Sequence, residues 1–423
     1  MEILAAVLAG GLGTRSANPN QAKISQLVGG RSLLAWQIDS FSGSAISEVC
    51  VVGGHFADQV LATINELKNE FDFQFVIEQT PQGTVNAVKS AFQKSGLDRA
   101  LVVLGDLLVA TDLENFVAEW VKSGKHVGVM VHPSTHPQDS DAVFEHWDGS
   151  VSVVAKGGDR AGIPNMSSAG IFTMTRGAIG AYGDCKDIGS NVLPAAAKRD
   201  DLFAFVTSGY VKDTGTPDRL ERARHDAESG VIERRGKQGD RKVLFLDRDG
   251  VINPVSPEIY SPDGYVLNIG VAQLIQRANS EGIPVFAITN QPGIAKGLMT
   301  FQEHETIRAE MDRLLGEYGA FVDDYFYCPH HPDSGFEGEV SELKISCDCR
   351  KPEPGLVVRA AAKHGVDLLG SVFVGDTWRD QEVAEKCGIP FIHVTEECSL
   401  DGEHVCADTP SEAIKQAIDS LLC

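Results

Sequence analysis

The chain has 423 residues, 43% of them hydrophobic and 23% charged, and carries a formal net charge of -22. That length exceeds one ordinary core and points to two domains, and the composition is that of a globular protein. So acidic a chain argues against a nucleic-acid or anionic-membrane partner, and no run approaches the roughly 18 apolar residues of a membrane span.

The opening MEILAAVLAGGLGTR has no basic segment before its apolar run and passes straight into a glycine loop. A buried strand is expected there rather than an export signal. ILAAVL, VCVV, FQFVI, ALVVLGD and VGVMV read as buried strands, with helical stretches around Leu33–Ser40, Asp58–Asn69 and Thr84–Lys94. This alternation predicts a parallel sheet with helices on both faces. FEHWDGSVSVVAK differs, because Asp148-Gly149 between two alternating runs predicts an inserted hairpin.

The loop of LAGGLGTR follows the first strand and offers backbone N–H groups to phosphates; by itself it is equally a tight strand-to-helix turn. Its company matters more. Arg15 and Lys23 lie on or near the loop, VVLGD ends in Asp106, and KDTGTP supplies Asp213. A nucleoside triphosphate beside a sugar phosphate concentrates negative charge, so cations and metal-binding carboxylates belong together. The set resembles sugar-1-phosphate nucleotidyltransferases, with a Rossmann-like fold, over roughly residues 1–225. The resemblance implies that Gly11, Thr14, Arg15 and Lys23 bind the triphosphate, with Arg15 and Lys23 in the catalytic set. It further implies magnesium on Asp106 and Asp213, a nucleobase facing Gln79, Gly83 and Thr84 of EQTPQGT, and a sugar phosphate on Lys156. Three positions depart from the family pattern: Ala22 stands where proline is usual, Ser168 where asparagine is, and Ala155 where glutamate precedes the lysine. They bear on activity and on the choice of sugar.

HDAESGVIERRGKQGDRK is charged, weakly periodic and glycine-containing, which places a linker at 228–241 between domains 1–227 and 242–423. The second half repeats the alternation with KVLFLD, PVFAITN, DYFYC, SVFVGD and PFIHV, so both domains are expected to be doubly wound α/β folds.

LFLDRDGVIN sets Asp247 and Asp249 just after a strand, at the edge where open parallel sheets bind ligands. Two carboxylates at that spacing suit a nucleophile and a general acid/base, although an acidic helix cap would look the same. Thr289-Asn290 at the end of PVFAITN can hold a phosphoryl oxygen, and Arg350 and Lys351 of CRKPEPG bring cations for in-line phosphoryl transfer. Asp376 of VFVGDTWRD supplies a hard oxygen ligand at another strand end. Together these motifs resemble the haloacid dehalogenase superfamily, and DRDGVIN, TNQPGIAKG, CPHHP and CDCRKPEPG resemble the D-glycero-D-manno-heptose 1,7-bisphosphate phosphatases across nearly all of 242–423. The resemblance implies Asp247 as nucleophile and Asp249 as general acid/base. It also implies magnesium on Asp247, the Asp249 carbonyl and Asp376, with Lys351 steadying the nucleophile and the transferring phosphate. Thr377 departs from the family, which often has a basic residue there.

Cys328-x-His330 and Cys347-x-Cys349 form two tight pairs, a Cys3His set suited to a closed structural zinc site. Loop cysteines beside a surface histidine are the plainer alternative, but paired spacing in a reducing compartment favours metal over disulfide. The same four ligands are implied by the phosphatase resemblance. His331 is left as a surface or substrate-loop residue. The nine cysteines show no secretory framework, which fits a cytoplasmic protein.

The two resemblances together imply a bifunctional enzyme of nucleotide-activated heptose synthesis, with small-molecule substrates and no nucleic-acid or membrane partner. A homo-oligomer is compatible with the sequence. GTP is favoured by analogy with heptose pathways, while UTP and ATP stay open. Two other readings stand beside it: a histidinol phosphate phosphatase, and an N-terminal domain that binds nucleotide without catalysis.

Overall fold

Strands made of Val, Ile and Leu without polar alternation need cover on both faces, and helices supply it in both halves of the chain. The computed structural model describes residues 2–11, 20–67, 71–236, 241–255, 259–395 and 405–422. It divides into two units: Met1–His132, His136–Asp159 and Met166–Lys237 form the first, and Pro133–Thr135, Arg160–Asn165 and Gln238–Cys423 the second.

In the first unit the strand Ile3–Ala9 lies between Ile46–Gly53 and Arg99–Leu104, parallel to both. Asp72–Ile77 continues the sheet beyond Ile46–Gly53, also parallel. The chain therefore reverses its direction of travel across the sheet at Ile3–Ala9, which opens a crevice between that strand's end and the end of Arg99–Leu104. Gly10, Gly11 and Asp106 follow those two strands directly. On the far side the sheet is mixed, unlike the parallel sheet expected. Ser167–Thr175 runs antiparallel to Arg99–Leu104 and to Val127–His132. A hairpin, Ala142–Glu145 with Val151–Val154, feeds that strand in place of a crossover helix, so it enters in the opposite sense. The hairpin turns at Asp148-Gly149, where Gly149 has φ +80°.

The second unit is a six-stranded sheet, parallel throughout, in the order Asp324–Cys328, Val285–Asn290, Leu244–Leu246, Val372–Gly375, Phe391–Val394 and Val405–Ala407. The last strand is too short to stand out in the sequence. Leu244–Leu246 is again the reversal point, with the next strand in sequence on one side and Val372–Gly375 on the other. Asp247 and Asp376 thus emerge from adjacent strand ends. The helix Phe301–Gly316 shows how local sequence sets boundaries: Thr300 and Glu303 cap it reciprocally, each side chain meeting the other's backbone N–H. Cys406 is disulfide-bonded, while Cys50, Cys185, Cys328, Cys347, Cys349 and Cys387 are free. Among the described residues no helix is long and apolar enough to cross a membrane.

Candidate active site

The strand end at Leu246 forces Asp247 into the crevice, with its backbone N–H on Val374 O at 3.0 Å. The turn that follows tolerates no side chain at Gly250. Its φ is +88°, and a Cβ there would lie 2.0 Å from Asp376 Oδ2. Glycine therefore lets the first loop close down on Asp376.

Lys351 reaches the same place from the end of the Cys/His loop and is only 2% exposed. Its ammonium lies 2.8 Å from Asp247 Oδ2, 2.9 Å from Ile288 O and 2.5 Å from Asp380 Oδ1. The Asp380 contact is an ion pair. Asn290 fixes the lysine's backbone by offering both ends of its amide, donating to Lys351 O and accepting from Lys351 N, each at 3.0 Å. The Thr289 hydroxyl accepts from Gln291 at 3.0 Å.

Oxygens of Asp247, Asp376 and Asp380 lie within 4.8 Å of one another. Two buried carboxylates and the half-buried Asp376 against one ammonium leave excess negative charge. Burial lifts Asp247 to about 8, with Lys351 pulling it down and Asp380 and Asp249 pushing it up. Burial and the charge of Asp380 lift Asp376 to about 6. Asp376 Oδ1 is buried without a hydrogen-bond partner. A hard divalent cation fits this set: it would satisfy that oxygen and restore the ionised form of Asp247.

Asp249 has a different setting. Arg248, 2% exposed, grips it through Nε and Nη2, and Asn253 and Gln291 donate to it at 3.0 and 2.8 Å. Burial pushes its pKa up, but the charge and hydrogen bonds of Arg248 win and hold it below the ordinary carboxylate range. Two carboxylates two residues apart are thus driven in opposite directions, Asp247 toward its protonated and Asp249 toward its ionised form. A nucleophile and a general acid need the reverse, which a bound cation would supply for Asp247 and the charge of an entering phosphate for Asp249. Asp247, Asp249, Thr289, Asn290, Lys351 and Asp376 all line one cavity. Arg350 lines a second one that shares Asp249 and Asn290.

The predicted Cys/His set is assembled. Cys349 Sγ lies 3.2 Å from the sulfurs of Cys328 and Cys347 and from His330 Nδ1, and Cys328 lies 3.6 Å from Cys347 and His330. A tetrahedron with bonds of about 2.0–2.3 Å has edges of roughly 3.3–3.8 Å, so the donor set fits a zinc ion.

In the first unit the strand Tyr210–Asp213 pairs with Leu107–Ala110 and brings Asp213 beside Asp106. Lys23 Nζ bridges to Asp106 at 2.8 Å. A Cβ on Gly215 would meet Asp213 Oδ1, Lys23 Nζ and Asp106 Oδ2 within 3.3 Å, so the three groups surround that glycine. Asp213 is also paired with Arg219, which reaches on to Asp139. Thr84 is already engaged: its hydroxyl donates to Asp187 and accepts from Ile188 N. Gly83, with φ +102°, lies against the Lys186 carbonyl. Gln79 and Gly11 are exposed. Lys156 is exposed too, and its backbone N–H donates to Asp141. No contact among the described residues joins it to Lys23, Asp106 or Asp213. Thr14 and Arg15 lie outside the described residues.

Asp380 was not singled out from the sequence, although it stands four residues past Asp376 in VFVGDTWRD. Nor were Arg248, Asn253 and Gln291 around Asp249, or Arg219 beside Asp213. Nothing local marks these as partners.

A family model for a MobA-like NTP transferase domain matches residues 5–179, and one described as HAD-hydrolase-like matches 348–418. D-glycero-beta-D-manno-heptose-1,7-bisphosphate 7-phosphatase of Salmonella typhi is 34% identical over 147 residues, 35% of this chain and 76% of that protein. The solved D,D-heptose 1,7-bisphosphate phosphatase of B. bronchiseptica, complexed with magnesium and phosphate, is 32% identical with TM-score 0.37, covering 42% of this chain and 98% of that one. HddC of Yersinia pseudotuberculosis is 22% identical with TM-score 0.44, covering 53% of this chain and 99% of that one.

Proposed function

We propose, on the premise that the chain belongs through its C-terminal half to the D-glycero-D-manno-heptose-1,7-bisphosphate 7-phosphatase family, that it is a bifunctional enzyme of nucleotide-activated heptose synthesis. The C-terminal unit removes the 7-phosphate from a heptose 1,7-bisphosphate. The N-terminal unit, with its MobA-like NTP transferase domain, transfers a nucleotidyl group to the heptose 1-phosphate and releases pyrophosphate. GTP is the favoured donor. The domains are assigned to 1–227 and 242–423.

The observation that carries the phosphatase reading is the meeting of Asp247, Lys351, Asp376 and Asp380 at the sheet's reversal point. Asp247 Oδ attacks phosphorus, the bond from phosphorus to the sugar oxygen breaks, and Asp249, which must first take a proton from solvent against the pull of Arg248, gives that proton to the oxygen. Asp249 then takes a proton from the water that attacks the aspartyl-phosphate, which returns Asp247 as a carboxylate. Lys351 balances the charge of Asp247 and of the transferring group, and Thr289 and Asn290 border its oxygens. Asp247, the Asp249 carbonyl and Asp376 would hold magnesium, which supplies charge neutralisation on the phosphoryl oxygens. Zinc on Cys328, His330, Cys347 and Cys349 would fix the loop that delivers Arg350 and Lys351.

In the N-terminal unit Asp106 and Asp213 would hold magnesium, with Lys23, Arg15, Thr14 and Gly11 on the triphosphate. Gln79, Gly83 and Thr84 are assigned to the base and Lys156 to the sugar phosphate. The test is to supply heptose 1,7-bisphosphate with ATP, GTP, UTP or CTP and follow phosphate and pyrophosphate separately. Absence of phosphate release with magnesium present sinks the heptose reading, and phosphate without pyrophosphate leaves only the phosphatase.

A further inference from the structure

We infer that Arg379 is a specificity residue of the phosphatase, binding the phosphate of the substrate that does not react. It lies in the first turn of the helix Trp378–Cys387, three residues after Asp376. Two cavities meet at the active edge of the second unit. One holds the reacting groups; the other is walled by Lys296, His331, Arg350 and Arg379. Thr377 borders only the first, Arg350 only the second, and Arg379 borders both.

The second cavity is cationic without an evident reason of its own. Among the described residues its one carboxylate, Asp249, is already matched by Arg248. Arg350 and Arg379 come from different elements, yet both line this cavity. Among the described residues Arg350 donates to the His330 carbonyl, and neither arginine makes an ion pair. The guanidinium carbon of Arg379 instead sits 4.8 Å over the ring of Trp378, which is itself 57% exposed. Stacking restricts the guanidinium to one plane while leaving its N–H edge free for an anion. Two guanidinium groups on one cavity wall favour a doubly charged oxyanion between them. A substrate with one phosphate at Asp247 and another at its far end would place the second there. Arg379 would then select bisphosphates over monophosphates.

This inference rests on the bisphosphate reading of the substrate. The experiment compares kcat/KM for heptose 1,7-bisphosphate and heptose 7-phosphate in the wild type, Arg379→Gln and Arg379→Lys. One charge-assisted contact corresponds to roughly tenfold to a hundredfold in the ratio of the two values. The expected result is a fall of that size in Arg379→Gln, carried by KM for the bisphosphate, with partial recovery in Arg379→Lys. An equal loss on both substrates would place Arg379 at the reacting phosphate and overturn the proposal, as would no change in the ratio. If the wild type hydrolyses p-nitrophenyl phosphate but neither heptose ester, the heptose reading has failed by itself. Inhibition of p-nitrophenyl phosphate hydrolysis by fructose 1,6-bisphosphate and by fructose 6-phosphate then decides the role of Arg379. Arg379→Gln should weaken only the bisphosphate, and equal weakening, or none, overturns it.

Discussion

Replacing Lys351 by methionine removes one charge while keeping most of the side chain's volume, and the surroundings of that charge set the size of the effect. The ammonium lies within 2.9 Å of oxygens of Asp247, Asp380 and Ile288. Its loss leaves two buried carboxylates unmatched, and breaking one buried pair costs about 3–5 kcal/mol. Asp247 already sits near 8 with the lysine present. It can therefore respond by taking a proton, which holds the loss near the lower bound, about 3 kcal/mol. For a unit of this size about 2–4 °C accompanies each kcal/mol, so the phosphatase transition should melt roughly 6–12 °C lower. Scanning calorimetry in EDTA measures this, with the phosphatase transition identified in the wild type by its shift on adding magnesium. Phosphate release should fall by roughly a hundredfold to a thousandfold, because a preorganised cation at the transferring group is gone. A variant melting within about 2 °C of the wild type, or keeping a tenth of its activity, would refute the assigned role of Lys351.

Asp247→Asn should abolish phosphate release while pyrophosphate release persists when heptose 1-phosphate and NTP are supplied; surviving phosphate release would exclude Asp247 as nucleophile. Cys349→Ser should lower bound zinc, read by elemental analysis of folded protein, and a wild type without zinc would remove the metal site. His304 is 1% exposed, and burial with the charges of Arg248 and Arg308 lowers its pKa to about 3. Because the unfolded chain takes up that proton near pH 6.5 and the native one does not, this contribution to stability is complete above pH 6.5 and is lost as pH falls toward 3. The loss is about 2 kcal/mol by pH 5. Denaturation midpoints from pH 7 to 5 should fall less steeply in His304→Gln than in the wild type, and parallel slopes would exclude the effect.

What could be read from the sequence was whatever depends on neighbours along the chain. The apolar runs announced their strands, and strand-end acids such as Asp106, Asp247 and Asp376 announced their edge, because a sheet's open end is fixed by chain direction. Cys328, His330, Cys347 and Cys349 were legible because paired soft donors have few other uses. Contacts made across the fold were not legible. The clamp of Arg248, Asn253 and Gln291 on Asp249 depends on how one loop folds on itself and where a second meets it. The antiparallel entry of Ser167–Thr175 depends on the path of a hairpin, and a run such as VGVMV reads the same in either sense. Asn290 looked like a phosphate-binding amide, yet here both its ends are spent on the backbone of Lys351.

Gly250 has a consequence for how such an enzyme can change. With Asp376 Oδ2 only 2.0 Å from where a Cβ would stand, the floor of the site accepts no side chain without displacing a carboxylate. The rim is under no such restriction: Val255 is 62% exposed and Arg379 is exposed beside it on the cavity wall. Substitutions that alter substrate range are therefore confined to the rim, where they leave the phosphoryl chemistry untouched. A lineage can exchange one phosphate ester for another there while its floor stays the same.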